Sequence, residues 1–197
     1  MGFMTTSRPL RADAARNREK LLAAATQLFS ERGLDVPMEH IARRAEVSIG
    51  TLYAHFPTRE AFFEAIFPER LAALDRLAEQ ANAEPDAWRA FVGYLEGLYA
   101  LHARDRGLND VLARQLPHVK GVVEACHRGA GHVDELIERA KTAGRLRPDF
   151  TVADMATLTR AMAQVIRDST ATAPDEWRRF LAIYVAGLRA EPEHPTP

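Results

Sequence analysis

Residues 38–59 read MEHIARRAEVSIGTLYAHFPTR, and this stretch constrains the fold more tightly than any other. Met38, Ile41, Ala42 and Ala45 recur at helical spacing and make one apolar face. A second helical pattern starts at Ser48 and runs through Ile49, Leu52, Tyr53 and Phe56. Only Glu46 and Val47 lie between the two. Helices joined so closely must cross steeply, which predicts a helix-turn-helix. Ser48 is placed to cap the second helix by accepting a hydrogen bond from an amide two or three residues on. The start of that helix, Ser48, Ile49, Gly50 and Thr51, offers little to obstruct a close approach to DNA. Its far end carries Tyr53 and His55, followed by Arg59, all able to bond phosphate oxygens.

The pattern AxxAxVSxGTLYxHFxxR resembles the DNA-binding signature of the tetracycline-repressor (TetR) family of bacterial transcription regulators. The resemblance covers the first sixty residues: a helix from Ala14 to Arg32, a stop at Gly33, then the helix pair. It implies that Ser48, Ile49, Gly50, Thr51, Tyr53 and His55 face double-stranded DNA, and that Arg59 stands where the family often has a phosphate-touching lysine. Three positions depart from the family pattern. Glu46 occupies a turn where glycine is usual, and a positive φ there costs a side-chain-bearing residue on the order of 1 kcal/mol. Pro37 replaces a capping threonine; proline suits a first helical turn but removes one phosphate contact. Ile49 stands where a polar group is common; it can touch a thymine methyl but cannot bond a base edge.

Charge is unevenly spread. The formal net charge is −1 over 197 residues, so the chain as a whole is not basic. Residues 1–20 nevertheless carry Arg8, Arg11, Arg16, Arg18 and Lys20 against Asp13 and Glu19, while the remainder beyond residue 60 is acidic on balance. Arg8 reads as part of a solvated tail. Arg16 and Arg18, beside or within the first helix, read as phosphate-facing, which adds affinity through counterion release without sequence information. The single cysteine, Cys126, permits no intrachain disulfide and fits a reducing cytoplasm. No apolar run approaches the roughly 18 residues of a membrane span, and the N-terminus has no apolar signal core. Met1-Gly2 with Thr6 matches a myristoylation pattern, read here as chance.

Almost every other segment reads helical, so the expected fold is all-α with about nine helices. A helix is expected from Arg59 to about Ala83, bent at Pro68. The next starts at Pro85-Asp86 and runs to about Arg104, with Gly107 as the break. A short helix holding Leu108, Val111, Leu112 and Leu116 stops at Pro117. Another spans about His118 to Thr142, weakened by Gly129 and Gly131 and stopped by Gly144. Arg145–Phe150 reads as a loop, Thr151 to about Thr170 as a helix, and Asp175 to Arg189 as the last one. The expected division is an N-terminal arm and DNA-binding domain over 1–58, a ligand-binding and dimerisation domain over 59–190, and a disordered tail over 191–197.

The last two helices are apolar over more than the stripe one core needs. Leu158, Val165, Ile166, Phe180, Tyr184 and Leu188 are the expected homodimer interface, a reading the family resemblance favours over simple burial in a monomer. A dimer also suits a reader of palindromic sites. The family resemblance implies a small-molecule chamber between head and interface. The candidate lining is Phe67, Trp88, Phe91, Tyr94, His102, His118, Val122, Cys126, Met155 and Met162, which suits an apolar or aromatic ligand. Cys126 and His127 point about 100° apart on one helix, so no metal site is expected with His118, and no cofactor is expected. Two alternatives stay open: an enzyme using Cys126 with a histidine, and a helical interaction module that does not read DNA. The resemblance and the head motif favour a cytoplasmic, ligand-responsive transcription regulator, most simply a repressor.

Overall fold

The computed structural model describes residues 7–114 and 116–190; the expected disordered tail lies outside them. Nine helices follow one another among the described residues: α1 (Ser7–Arg32), α2 (Met38–Arg44), α3 (Ile49–His55), α4 (Arg59–Asn82), α5 (Ala87–Arg104), α6 (Arg106–Arg114), α7 (Lys120–Thr142), α8 (Val152–Ser169) and α9 (Glu176–Gly187). The all-α expectation holds, and α1 starts earlier than Ala14.

Most helix starts are set by side chains the sequence supplies on site. The Thr58 hydroxyl accepts from the Ala61 amide at 3.2 Å, and the Asp86 carboxylate from that of Arg89 at 2.9 Å. Thr151 and Asp154 form a reciprocal capping box at the start of α8. At the other ends, Gly33 and Gly144 take the left-handed conformation, with φ of 82° and 63°, that stops α1 and α7.

One glycine reading changes. Gly107 does not break the chain; it lies in the first turn of α6. The break falls at Asp105, which leaves helical geometry at φ −135° and ψ 99°. Its carboxylate accepts from the Leu108 amide at 3.0 Å, which caps α6, and pairs with Arg70 at 2.8 Å. Gly107 is needed for close approach, since a Cβ there would stand 3.0 Å from the Phe29 carbonyl oxygen. Pro68 sits inside α4, which neither ends nor splits there. The proline ring packs on Gly121, whose amide donates to the Glu64 carboxylate at 3.0 Å. α7 thus begins at Lys120, just after His118, with its second amide satisfied by a side chain from α4.

The core is continuous. Phe29 of α1 meets Phe62, Phe63 and Phe67 of α4 at centroid distances of 6.4, 5.5 and 6.3 Å. Phe56, just past α3, stacks on Phe62 at 4.0 Å. This aromatic cluster fastens the first three helices to the start of α4. A polar joint lies beside it. Asp110 of α6 is buried, and its carboxylate accepts from the Leu34 amide at 3.0 Å and from Arg167 of α8 at 3.0 Å. Arg114 straddles Asp35 at 2.6 Å and Asp110 at 3.7 Å. Arg70 of α4 donates to the Thr26 carbonyl at 2.8 Å. Charge-assisted bonds of this kind are the stronger class.

Candidate nucleic-acid interface and internal chamber

Ile41, Ala42, Ala45 and Leu52 are buried, which seats α2 and α3 in the core with the Leu21, Ala25 and Leu28 face of α1. The turn between them places Glu46 at φ 57°, the left-handed geometry for which glycine is usual. Pro37 stands at the N-cap of α2, one place ahead of the helix, and offers no side-chain cap. Ser48 caps α3 as its sequence position predicts, accepting from the Thr51 amide at 3.1 Å. The Ser48 and Thr51 hydroxyls also share a hydrogen bond of 2.8 Å.

With Leu52 turned inward, the opposite face of α3 stands free. Ser48, Ile49 and Gly50 are exposed, and Tyr53 is 45% exposed. Ile49 and Tyr53 are one turn apart and so stand side by side. Thr51 and His55 are half-buried. Arg18 lies with its guanidinium 5.3 Å from the Phe56 ring centroid, and Arg16 pairs with Asp13 on the exposed face of α1. Arg59 is part-buried and donates to the Leu34 carbonyl. Beside this face, Arg32, His40, Arg43, Arg44 and Glu46 line a shallow depression. Arg44 is anchored there by Gln27 at 2.6 Å.

Helices α4 to α8 line a half-open cavity of about 160 Å³. α4 contributes Leu71, Leu74 and Asp75; α5, Tyr94 and Leu98; α7, Cys126, Gly129, Ala130 and Val133; α8, Met155, Ala156 and Thr159. Of the residues expected to line a chamber, Tyr94, Cys126 and Met155 do so. Phe67 belongs to the aromatic cluster on Phe29. Trp88 lines a separate groove with Trp177, under the Arg189 guanidinium at 4.8 Å. Phe91 packs edge-on to Phe150 at 5.8 Å. Val122 and Met162 are fully buried, and His118 is exposed. His102 is buried and bonds Asn109 at 2.9 Å.

Burial pushes the Cys126 thiol up, which keeps it protonated and a poor nucleophile. Burial, aided by the Asp75 charge, holds the Tyr94 phenol up at about 12. Sequence reasoning missed Asp75 and Thr159, because a carboxylate and a hydroxyl on otherwise mixed helices carry no local signal. Among the described residues, no cluster of His, Cys, Asp or Glu suits a metal ion, and no helix is long and apolar enough to cross a membrane.

Of the expected interface residues, Leu158, Ile166 and Leu188 are buried within the protomer itself. Val165 and Tyr184 are half-buried, and Phe180 is exposed. Ile183, on the same side of α9, is 64% exposed. Val165, Phe180 and Ile183 share one surface depression.

Comparison with known proteins bears on both regions. Residues 21–66 match the model of bacterial regulatory proteins of the tetR family, and residues 86–190 match the C-terminal domain of SbtR-like transcriptional regulators. The chain is 31% identical to the TetR transcription regulatory protein from Mycobacterium vanbaalenii, covering 92% of this chain and 99% of that one at a TM-score of 0.53. It is 33% identical over 72 residues to YvdT, an uncharacterized HTH-type transcriptional regulator of Bacillus subtilis; that match spans 36% of this chain and only 37% of the relative. The structure of RolR in complex with resorcinol shares the fold at 19% identity and a TM-score of 0.59, covering 90% of each chain.

Proposed function

The chain belongs to the TetR family of bacterial transcription regulators, and from that premise we propose that it is a homodimeric repressor which leaves a palindromic operator when a small molecule occupies the internal cavity. The observation that carries the DNA reading is the free face of α3. Leu52 anchors the helix, while Ser48, Ile49, Gly50 and Tyr53 stand outside the core. In this reading α3 enters the major groove, with Tyr53, His55 and the arginines Arg16 and Arg18 on phosphates. DNA reading resides in residues 1–58, and ligand binding and dimerisation in residues 59–190. Its place of work is the bacterial cytoplasm, where the operator is.

Dimerisation is supported by Val165, Phe180 and Ile183, apolar groups left open on the outer side of α8 and α9. Two heads at a fixed separation read two half-sites, which one short helix cannot match in affinity. Ligand response is supported by α4. Its first turns hold the aromatic cluster under the head, and its middle supplies Leu71, Leu74 and Asp75 to the cavity wall. A ligand that favours a shifted α4 favours displaced heads, and the coupling equals its differential affinity for the two states. RolR, of the same fold, is described with the small aromatic resorcinol.

The test is binding of the purified protein to DNA flanking its own gene at two salt concentrations, with competitor DNA present. Tight binding that weakens with salt is expected. Tyr53→Ala and His55→Ala should each weaken it while leaving the oligomeric state intact. Variants that bind like the parent would remove α3 from the role of recognition helix.

A further inference from the structure

The cavity has one polar end, and that end is short of partners. Asp75 lines it with a side chain only 20% exposed. Its nearest cation is Arg128, at 3.6 Å, too long for a direct hydrogen bond and itself more than half exposed. Among the described residues the Asp75 carboxylate accepts no side-chain or backbone hydrogen bond. Tyr94 lines the same cavity at 5% exposure, and among the described residues its hydroxyl is likewise unbonded. Among the described residues the fully enclosed side-chain polar atom without a partner is His102 Nε2, so the Tyr94 hydroxyl is not sealed in protein, and the opening Tyr94 borders is this cavity. Thr159 differs: its hydroxyl donates to the Met155 carbonyl at 3.0 Å and lies 3.4 Å from the Tyr99 hydroxyl.

A largely buried carboxylate without hydrogen bonds is costly unless something donates to it. The space beside Asp75 is a half-open cleft of about 160 Å³ walled by Leu71, Leu98 and Met155, and a volume of about 150 Å³ is filled by one benzene ring. We propose that the effector is a compact, one-ring-sized apolar molecule bearing a hydroxyl or amine, which donates to Asp75 beside the Tyr94 hydroxyl, and that carboxylates of the same size are rejected. A hydroxyl accepts from Tyr94 while donating to Asp75; an ammonium donates to both. A carboxylate brings a second negative charge beside Asp75, which Arg128, 3.6 Å from Asp75 and outside the cavity wall, and the Tyr94 hydroxyl offset only in part. This inference rests on the cavity being the effector site.

The experiment is calorimetric titration of the full-length protein with benzyl alcohol, benzylamine and benzoate, alongside operator-fragment binding by the same preparation. The alcohol or the amine should bind at least about tenfold more tightly than benzoate, as expected for hydrogen bonds to a charged group. Which of the two binds better separates a neutral donor from a cationic one. Tyr94→Phe, which removes one oxygen and keeps the ring, should weaken the better ligand by about 3- to 12-fold. Asp75→Asn should abolish the discrimination against benzoate. Equal or tighter binding of benzoate, or binding of none of the three, overturns the proposal. DNA binding retained in that case leaves the regulator reading standing; DNA binding absent removes the regulator reading itself.

Discussion

His102 should make this protein sensitive to mild acid, and the size of the effect follows from its surroundings. The ring is fully buried at the end of α5. The Asn109 amide nitrogen donates to the Ala163 carbonyl at 3.1 Å, which fixes the amide and turns its oxygen to His102 Nδ1 at 2.9 Å. Nδ1 must then carry the proton, and Nε2 is a bare lone pair with no partner among the described residues. Protonating Nε2 would bury a charged donor with no acceptor. Burial accordingly pushes the imidazole from 6.5 down to about 4, against the opposing pull of the Asn109 bond. The folded value lies below the unfolded one, so the unfolded chain takes up the proton first as pH falls. Stability is therefore intact above pH ~6.5 and is lost progressively as pH drops toward ~4. One pKa unit is worth about 1.4 kcal/mol, so the loss is about 2 kcal/mol by pH ~5 and about 3 kcal/mol in full. Urea unfolding at pH ~7.5 and ~5, on the parent and on His102→Gln, isolates this contribution. The variant starts less stable but should lose about 2 kcal/mol less between the two pH values. Equal losses in both proteins would refute the reasoning, as would a ring titration by NMR in the folded state above pH ~6.

Three further outcomes are expected. Glu46→Gly relieves a left-handed side-chain-bearing residue; the gain, less the added freedom of the unfolded chain, should stabilise by up to about 1 kcal/mol in thermal unfolding. Gly107→Ala should destabilise by about 1–3 kcal/mol, because its Cβ meets the Phe29 backbone, although alanine is the better helix former. A loss near zero would mean that α6 shifts freely on α1. Ile183→Asp should convert the protein to monomer in sedimentation velocity while leaving its helix content unchanged, and a persistent dimer would move the interface off this face.

The helix-turn-helix was legible because its determinants are local. Ser48 caps its own helix, and Ile41, Ala42, Ala45 and Leu52 sit at spacings that state their own burial. The same locality explains what was not read. Asp105, where α5 ends, bonds Arg70 of α4 and the Leu108 amide of α6, and the first of these is distant in sequence. Gly107 therefore looked like the breaker, while its use is contact with α1. In the chamber, periodicity identifies which residues of a helix point inward, but not where inward-pointing residues fail to fill the space. Gly129 reads only as a weak position in α7, and together with Ala130 it borders the opening. Trp88 and Phe67 are inward-facing too, and they pack elsewhere.

Asp110 also sets a rule for anyone who would rebuild this regulator. Exchange of DNA-reading heads between related proteins would naturally be cut near residue 58, where α4 begins. The buried carboxylate lies far beyond that cut, yet it holds the Leu34 amide at the end of α1 and stands 2.5 Å from where a Cβ on Gly33 would be. A graft that brings any residue but glycine to that turn would drive its side chain into the carboxylate. The transferable unit is thus discontinuous: a working chimera must carry Gly33 to Asp35 together with Asp110 and Arg114, whichever parent supplies the rest.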